Sequence, residues 1–341
     1  MYALPFFVYF ISAFLNHIAG FGVDMIRIKL PYLFLPIAFA ALPQLNIIQW
    51  KVILSALVIC VIMSTFGVWY TYFFHQESIL TLMKQGKPMP TPMSHIRYSL
   101  TVVISIIAAL TLLMNSEGRK IKMLLVVAIT YLIFFLHFLA VRSGLFSFYL
   151  LVILWFIFYS IKHKRYVLGS LALLIVGIAL IFSIKYIPSL QEKLRYTKWE
   201  WEMTTGMITK DEGNYSDKNR LVSLKFGYEL FKENPIFGVG ISNIHQLMDE
   251  KYKQSQFANE QTLLPHSQWI TVLAACGIVG FLFFFLGLFS PLLVAAFRQD
   301  FFILNCFALL VISFASENTI ETAIGTALFT FYPLLGMKKY I

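Results

Sequence analysis

Charge is scarce in this sequence. Asp, Glu, Lys and Arg make up 13% of 341 residues, against about 25% in soluble domains. Hydrophobic residues fill 59%, and mean hydropathy is +0.74. No water-soluble fold can hide that much apolar surface, so a soluble globular protein, a disordered chain and a collagen-like fibre are excluded. Cysteine is nearly absent too. Cys60, Cys276 and Cys306 each lie in an apolar run without metal-ligand spacing and read as packed thiols, which excludes a disulfide-stapled secreted domain. The first apolar run, Met1 to Gly20, lacks a basic n-region and an A-x-A cleavage site, so it is expected to stay as a helix. Internal repeats and low-complexity tracts are missing, and with them the inverted-repeat pattern of many transporters. The outer loops contain no H-E-x-x-H, P-loop or G-x-S-x-G, and no Asp-x-Asp pair; Asp24 stands alone. Any catalysis is therefore expected to run without a protein-bound metal or other cofactor.

What the chain does have is a series of apolar runs. A membrane span needs about 20 such residues. Candidate spans are 3–20, 30–46, 51–73, 96–115, 121–140, 143–161, 166–187, 274–297, 301–316 and 320–336, ten in all, of which the second and the last two are short. The expected fold is all-α, a polytopic membrane protein. Its expected parts are an amino-terminal bundle over 1–187, an extracytoplasmic loop over 188–273 containing short helices, and carboxy-terminal spans over 274–341. The net charge of +10 is unevenly spread. Residues 188–265 hold ten basic and eleven acidic side chains, and the rest of the chain holds seventeen and six. The excess falls in short connectors, where it reports orientation rather than nucleic-acid binding. Clusters at Arg119, Lys120 and Lys122, at Lys162 to Arg165, at Arg298, and at Lys338 and Lys339 all face the cytoplasm in one arrangement. That arrangement puts 21–29, 74–95, 141–142, 188–273 and 317–319 outside. Long loops translocate regardless of charge, so 188–273 does not conflict.

Ionisable groups within or beside apolar runs are costly and need a reason. Arg142, in Val141-Arg142-Ser143-Gly144, has no acidic neighbour in sequence; it either serves a function or snorkels to the outer headgroups. Arg220 opens a loop helix that Asp217 can cap and whose Leu221, Leu224, Tyr228 and Phe231 recur at helical spacing. A solvated charge, or a pair with Asp217, is the plain alternative. The helix stops at Asn234-Pro235 and runs into Ile236-Phe237-Gly238-Val239-Gly240. An amphipathic helix on the membrane surface, closed by a glycine turn, describes this loop equally well. His266 follows Pro265 near the start of the next helix, where a histidine is more often structural. His95 and Arg97 enter one span from the outside and Lys29 another. Glu317 and Glu321 are spaced one helical turn apart, and His137 reads as a packed polar residue within a span.

Taken together and in order, these residues resemble the O-antigen ligase and O-antigen polymerase superfamily. The pattern is Arg220, then Asn234-Pro235-Ile236-Phe237-Gly238-Val239-Gly240, then His266-Ser267, then Gly277-Ile278-Val279-Gly280, with Arg142 and its small neighbours upstream. The segments around His95-Ile96-Arg97 and Glu317-Asn318-Thr319-Ile320-Glu321 resemble one branch, usually described as ligases. Ser267 stands where relatives usually have asparagine, and Arg142 lacks the leading serine. Relatives commonly carry more spans, so the amino-terminal portion is expected to lack one or two helices.

The resemblance implies a membrane-embedded glycosyltransferase of the C type in the bacterial inner membrane, with its active site facing the periplasm. Its donor would be a glycan on polyprenyl (undecaprenyl) diphosphate, and its acceptor a hydroxyl of lipid A–core, or a growing glycan for a polymerase. Arg142 and Arg220 suit a diphosphate leaving group, because guanidinium binds its oxygens bidentately and stays charged. His266 suits a general base, since imidazole titrates near neutrality. Lys29, His95, Arg97, Glu317 and Glu321 are further substrate-contact candidates, with helix packing the rival for the two glutamates. Loop aromatics Tyr196, Trp199, Trp201 and Tyr215 could stack on sugars or rest among headgroups. Prenyl tails and membrane lipids complete the expected partners, and nucleic acid is not among them. A flippase would need paired broken helices at mid-membrane depth, and a scaffold would tolerate loss of Arg142, Arg220 and His266.

Overall fold

The chain is an all-α polytopic membrane protein. The computed structural model describes all residues except 16–19, 86, 165, 192–193, 196, 199–215, 256, 259–260 and 341; for 162, 168, 172–173, 175–176, 179–180 and 216–218 it describes the backbone alone. The four loop aromatics, the side chain of Asp217, and two members of the Lys162–Arg165 cluster therefore lie outside the described residues.

The helices are α1 (Leu4–Leu15), α2 (Phe21–Ala41), α3 (Ile47–Phe74), α4 (Gln76–Lys84), α5 (His95–Met114), α6 (Arg119–Leu139), α7 (Arg142–His163), α8 (Tyr166–Tyr186), α9 (Ser216–Glu233), α10 (Ile244–Lys253), α11 (Gln268–Phe289), α12 (Ala295–Gln299), α13 (Phe301–Ser316) and α14 (Ala323–Met337). Among the described residues, five helices are long and apolar enough to cross a membrane: α3, α5, α6, α7 and α11. The backbone divides into two compact units, Ile47–Trp199 and Met1–Asn46 with Glu200–Ile341.

In the first unit α5 is the central helix, buried along nearly its whole length and packed against α3, α6 and α7. Trp69 of α3 stacks on Phe138 of α6 with ring centroids 4.0 Å apart. His137 is buried, with Nδ1 bonded to Ile133 O and Nε2 to Tyr149 Oη. It is a packed polar residue, as expected.

In the second unit α1 packs on α2 and α11, α2 on α14, and α9 on α10 and α11. Three features depart from the sequence expectations. First, residues 21–29 are not a loop but the opening turns of α2. The apolar run stops at Lys29, yet the helix does not, because Lys29 is wholly buried and ion-paired within the protein (below). Second, α11 starts at Gln268, six residues before the expected span, and is broken at Gly277 (φ 64°, ψ −172°). Third, Glu317 and Glu321 do not share a helix face. α13 ends at Ser316 and α14 begins at Ala323, so both glutamates sit on an irregular linker, and both are buried.

The break in α11 accounts for the glycine-rich segment before α10. A broken helix leaves N–H and C=O groups without partners, which lipid cannot supply. Residues 235–240 supply them. Val239 N donates to Ala274 O at 2.8 Å and Gly240 N to Ala275 O at 2.9 Å, while Ile278 N donates to Pro235 O at 2.9 Å and Val279 N to Ile236 O at 3.2 Å. Ser12 of α1 closes the join, donating to Ala275 O and accepting from Ile241 N. The backbones meet so closely that a Cβ on Gly238 would overlap residues 275–277, and one on Gly277 would overlap Ile236.

Candidate active site

The first unit carries His95, Arg97 and Arg142. α6 ends at Leu139, Ala140 takes a left-handed turn (φ 53°), and Arg142 opens α7. The small residues after Arg142 have a packing cause: a Cβ at Gly144 would strike Ser99 of α5, so the two helices cross closely there. Arg97 lies two residues from that contact on α5 and Arg142 two residues from it on α7. The crossing thus brings two guanidinium-bearing residues to one end of the unit. Arg97 is buried, and Arg142 and His95 are partly exposed.

The second unit carries Lys29, Arg220, His266, Glu317 and Glu321, together with two residues that sequence reasoning missed, Ser223 and Gln268. Arg220, in the second turn of α9, donates from Nη2 to Glu317 Oε1 at 2.8 Å. The carboxylate is buried and the guanidinium partly exposed. A guanidinium has five N–H donors in a fixed fork, so this bond orients the group while using one of them. Ser223, one turn later and wholly buried, donates to Arg220 O at 2.8 Å and lies 3.2 Å from His266 Nδ1. His266 N donates back to Ser223 Oγ at 3.3 Å. Gly227, one further turn along α9, has no side chain to hold Pro265 away, and that approach delivers His266 to Ser223.

Gln268 joins this arrangement to the glutamate linker. Its backbone N–H donates to Glu317 O at 3.2 Å. Its Nε2 donates to Glu321 Oε1 at 2.6 Å and to Tyr9 Oη at 3.1 Å, and its Oε1 accepts from Ile320 N at 3.1 Å. Glu321 also accepts from Tyr9 Oη at 2.7 Å and pairs through Oε2 with Lys29 Nζ at 3.0 Å. Lys29 lies over the Tyr9 ring, 4.4 Å from its centroid, and donates to Ile320 O. Two acidic residues spaced like a helical pair therefore face different cations. A rule that flags only ionisable groups in apolar runs could not find Ser223 or Gln268. The available signal was position: an uncharged polar residue two places after the histidine, and one at a helical step from Arg220.

Outside the membrane-embedded elements, α10 is tied to α9. Lys251 donates to Glu233 at 2.5 Å, which holds its amine above the ordinary lysine range. Asp249 bonds Lys253 and Thr262, the first cause and then the second of a carboxyl held below its usual range. An apolar cavity of about 520 Å³ lies beside the break in α11, lined by Phe7, Ile11, Phe237, Val279 and Phe283 among others. Among the described residues, no group of three His, Cys, Asp or Glu side chains gathers to hold a metal ion.

A search of curated proteins found no match. Comparison with family models gave one match, over residues 126–285, to the family described as O-Antigen ligase. The matched stretch contains Arg142, Arg220, Ser223, the 234–240 segment, His266, Gln268 and Gly277; Lys29, His95, Arg97, Glu317 and Glu321 lie outside it. Over residues 126–285, the chain is similar to the family described as O-Antigen ligase.

Proposed function

We propose that this protein is an O-antigen ligase-type glycosyltransferase of the bacterial inner membrane. It would transfer a glycan from polyprenyl diphosphate to a hydroxyl of lipid A–core at the periplasmic face, with inversion at the anomeric carbon. The observation that carries this reading is the hydrogen-bonded joining of Arg220 to His266 through Ser223, which holds a permanent cation and a titratable base on one unit.

In the reaction, the acceptor oxygen attacks the anomeric carbon and its proton passes to His266. The glycosidic bond to the diphosphate breaks, and its electron pair leaves with the polyprenyl diphosphate. Negative charge grows on the leaving group at that moment. Arg220, aimed by Glu317 on the unit that holds His266, stabilises it; the resemblance makes Arg142, Arg97 and His95 further candidates for contact with the diphosphate or glycan. Preorganised donors of this kind are worth on the order of 10²–10³ in rate each, and a general base about 10²–10⁴. The apolar cavity beside α11 has the character needed for a prenyl segment.

The test is a gel of cell-surface glycolipids from a host lacking the gene, complemented with the wild type or with His266→Ala, Arg220→Ala or Arg142→Ala. A ligase leaves bare lipid A–core, with polymer retained on its prenyl carrier, in the deletion strain. Core bearing a single repeat would instead identify a polymerase, which uses the same donor. Each variant is expected to fail to restore the ladder. A wild-type ladder from His266→Ala would remove the general-base role.

A further inference from the structure

We propose that Ser223 is a positioning residue that fixes the tautomer of His266, holding the imidazole proton on Nδ1 and the basic lone pair on Nε2. The inference rests on the reading of His266 as the general base, and it adds which nitrogen accepts the proton and what decides that.

The argument is a count of one hydroxyl's capacity. A serine hydroxyl has one hydrogen to donate and two lone pairs to accept with. Ser223 directs its hydrogen to Arg220 O at 2.8 Å. The backbone N–H of His266, which can only donate, takes one lone pair at 3.3 Å. The remaining neighbour is His266 Nδ1 at 3.2 Å, and the remaining capacity is a lone pair. Were Nδ1 deprotonated, the hydroxyl would have to turn its hydrogen from Arg220 O to the ring, giving up that 2.8 Å bond, or leave two lone pairs facing across the gap; with Nδ1 protonated, all three contacts are bonds. A neutral imidazole carries one N–H, so its lone pair falls on Nε2. Ser223 is wholly buried, so water is excluded as a substitute partner.

The neighbouring elements hold the arrangement in place. Gly227 admits Pro265 against α9, which fixes the chain on one side of His266. On the other side, Gln268 is bonded through its backbone and side chain to Glu317, Ile320 and Glu321. Two neighbours of the histidine are thus anchored, and the Ser223 hydroxyl sets the ring between them.

The test uses the full chain in lipid nanodiscs, labelled with [15N]histidine, with the His266 signal identified by its loss in His266→Ala. The wild type is expected to show Nδ1 protonated. Ser223→Ala is expected to shift the ring toward the Nε2-protonated form that an unconstrained histidine side chain favours. With donor and acceptor supplied, Ser223→Ala should lower kcat about tenfold, the size of one net hydrogen bond, with KM for the donor changed less than about twofold. Ser223→Thr, which keeps the hydroxyl, should restore the tautomer. A wild-type His266 protonated on Nε2 overturns the proposal, even if Ser223→Ala fails to fold. So does an unchanged tautomer and kcat in a folded Ser223→Ala. If His266→Ala retains activity, it is the general-base reading that fails, independently of what the nitrogen spectrum shows.

Discussion

The way Arg220 is held predicts how it fails. Arg220 is aimed by the buried Glu317 carboxylate at 2.8 Å. Arg220→Lys keeps the charge but loses the planar fork. It should recover little of the activity lost in Arg220→Ala, within a total loss on the order of 10²–10³ in kcat; full activity from the lysine variant in a donor-transfer assay would reduce Arg220 to a point charge. Glu317→Gln keeps a hydrogen-bond acceptor near Arg220 and should be milder than Glu317→Ala in the same assay. At this scale the sequence was informative about charge and silent about neutral groups. Arg142 and Lys29 stand out because a cation within or beside an apolar run has no ordinary reason to be there, whereas Arg220, in the polar stretch Ser216–Arg220, stands out only through the resemblance. Ser223 carries no charge, and only a folded structure can place its hydroxyl beside a histidine 43 positions away.

Helix α2 and the 317–322 linker show how a buried ion pair reshapes an element. Hydropathy ends a span at Lys29, but the pairing of Lys29 with Glu321 at 3.0 Å lets the helix run on. Removing one partner strands the other in a dry site. Lys29→Met should therefore lower stability by about 3–5 kcal/mol, and Lys29→Met with Glu321→Gln by clearly less, because the glutamine is neutral and can still accept from Tyr9 and Gln268. Thermal unfolding of the purified variants checks the order; a double variant less stable than the single one would contradict it. Gly277 makes a similar point about backbone. The sequence placed Gly277-Ile278-Val279-Gly280 inside a continuous span, since a glycine in an apolar helix carries no mark of a break. Its dihedrals belong to a region nearly reserved for glycine, and Ile236 occupies the space of a Cβ. Gly277→Ala should abolish accumulation of folded protein, as read by size-exclusion chromatography of a tagged chain, whereas Gly67→Ala, with nothing near its added Cβ, should leave it unchanged.

For the whole molecule, the distribution of basic residues makes a topological prediction. On a background with Cys60 replaced, and with Cys276 and Cys306 buried, a cysteine at exposed Gln254 should react with an impermeant maleimide in intact cells. One at exposed Lys122 should react only after permeabilisation. The reverse pattern would invert the proposed orientation. The all-α membrane character was legible because it depends on composition summed over hundreds of residues. The association of Met1–Asn46 with Glu200–Ile341 in one compact unit was not, because it is made by contacts across long sequence separations that leave no local pattern.

The interlock at Gly277 has a consequence for biogenesis. Residues 235–240 leave the ribosome before α11 does, yet they complete α11's backbone bonding. Until they dock, the nascent helix holds unsatisfied amides that the lipid cannot solvate, so the membrane-insertion machinery has to retain it or leave it exposed to proteolysis. Lesions in this glycine-rich stretch should therefore act during synthesis, as shortened half-lives in pulse-chase, while the few molecules that mature turn over substrate at the normal rate.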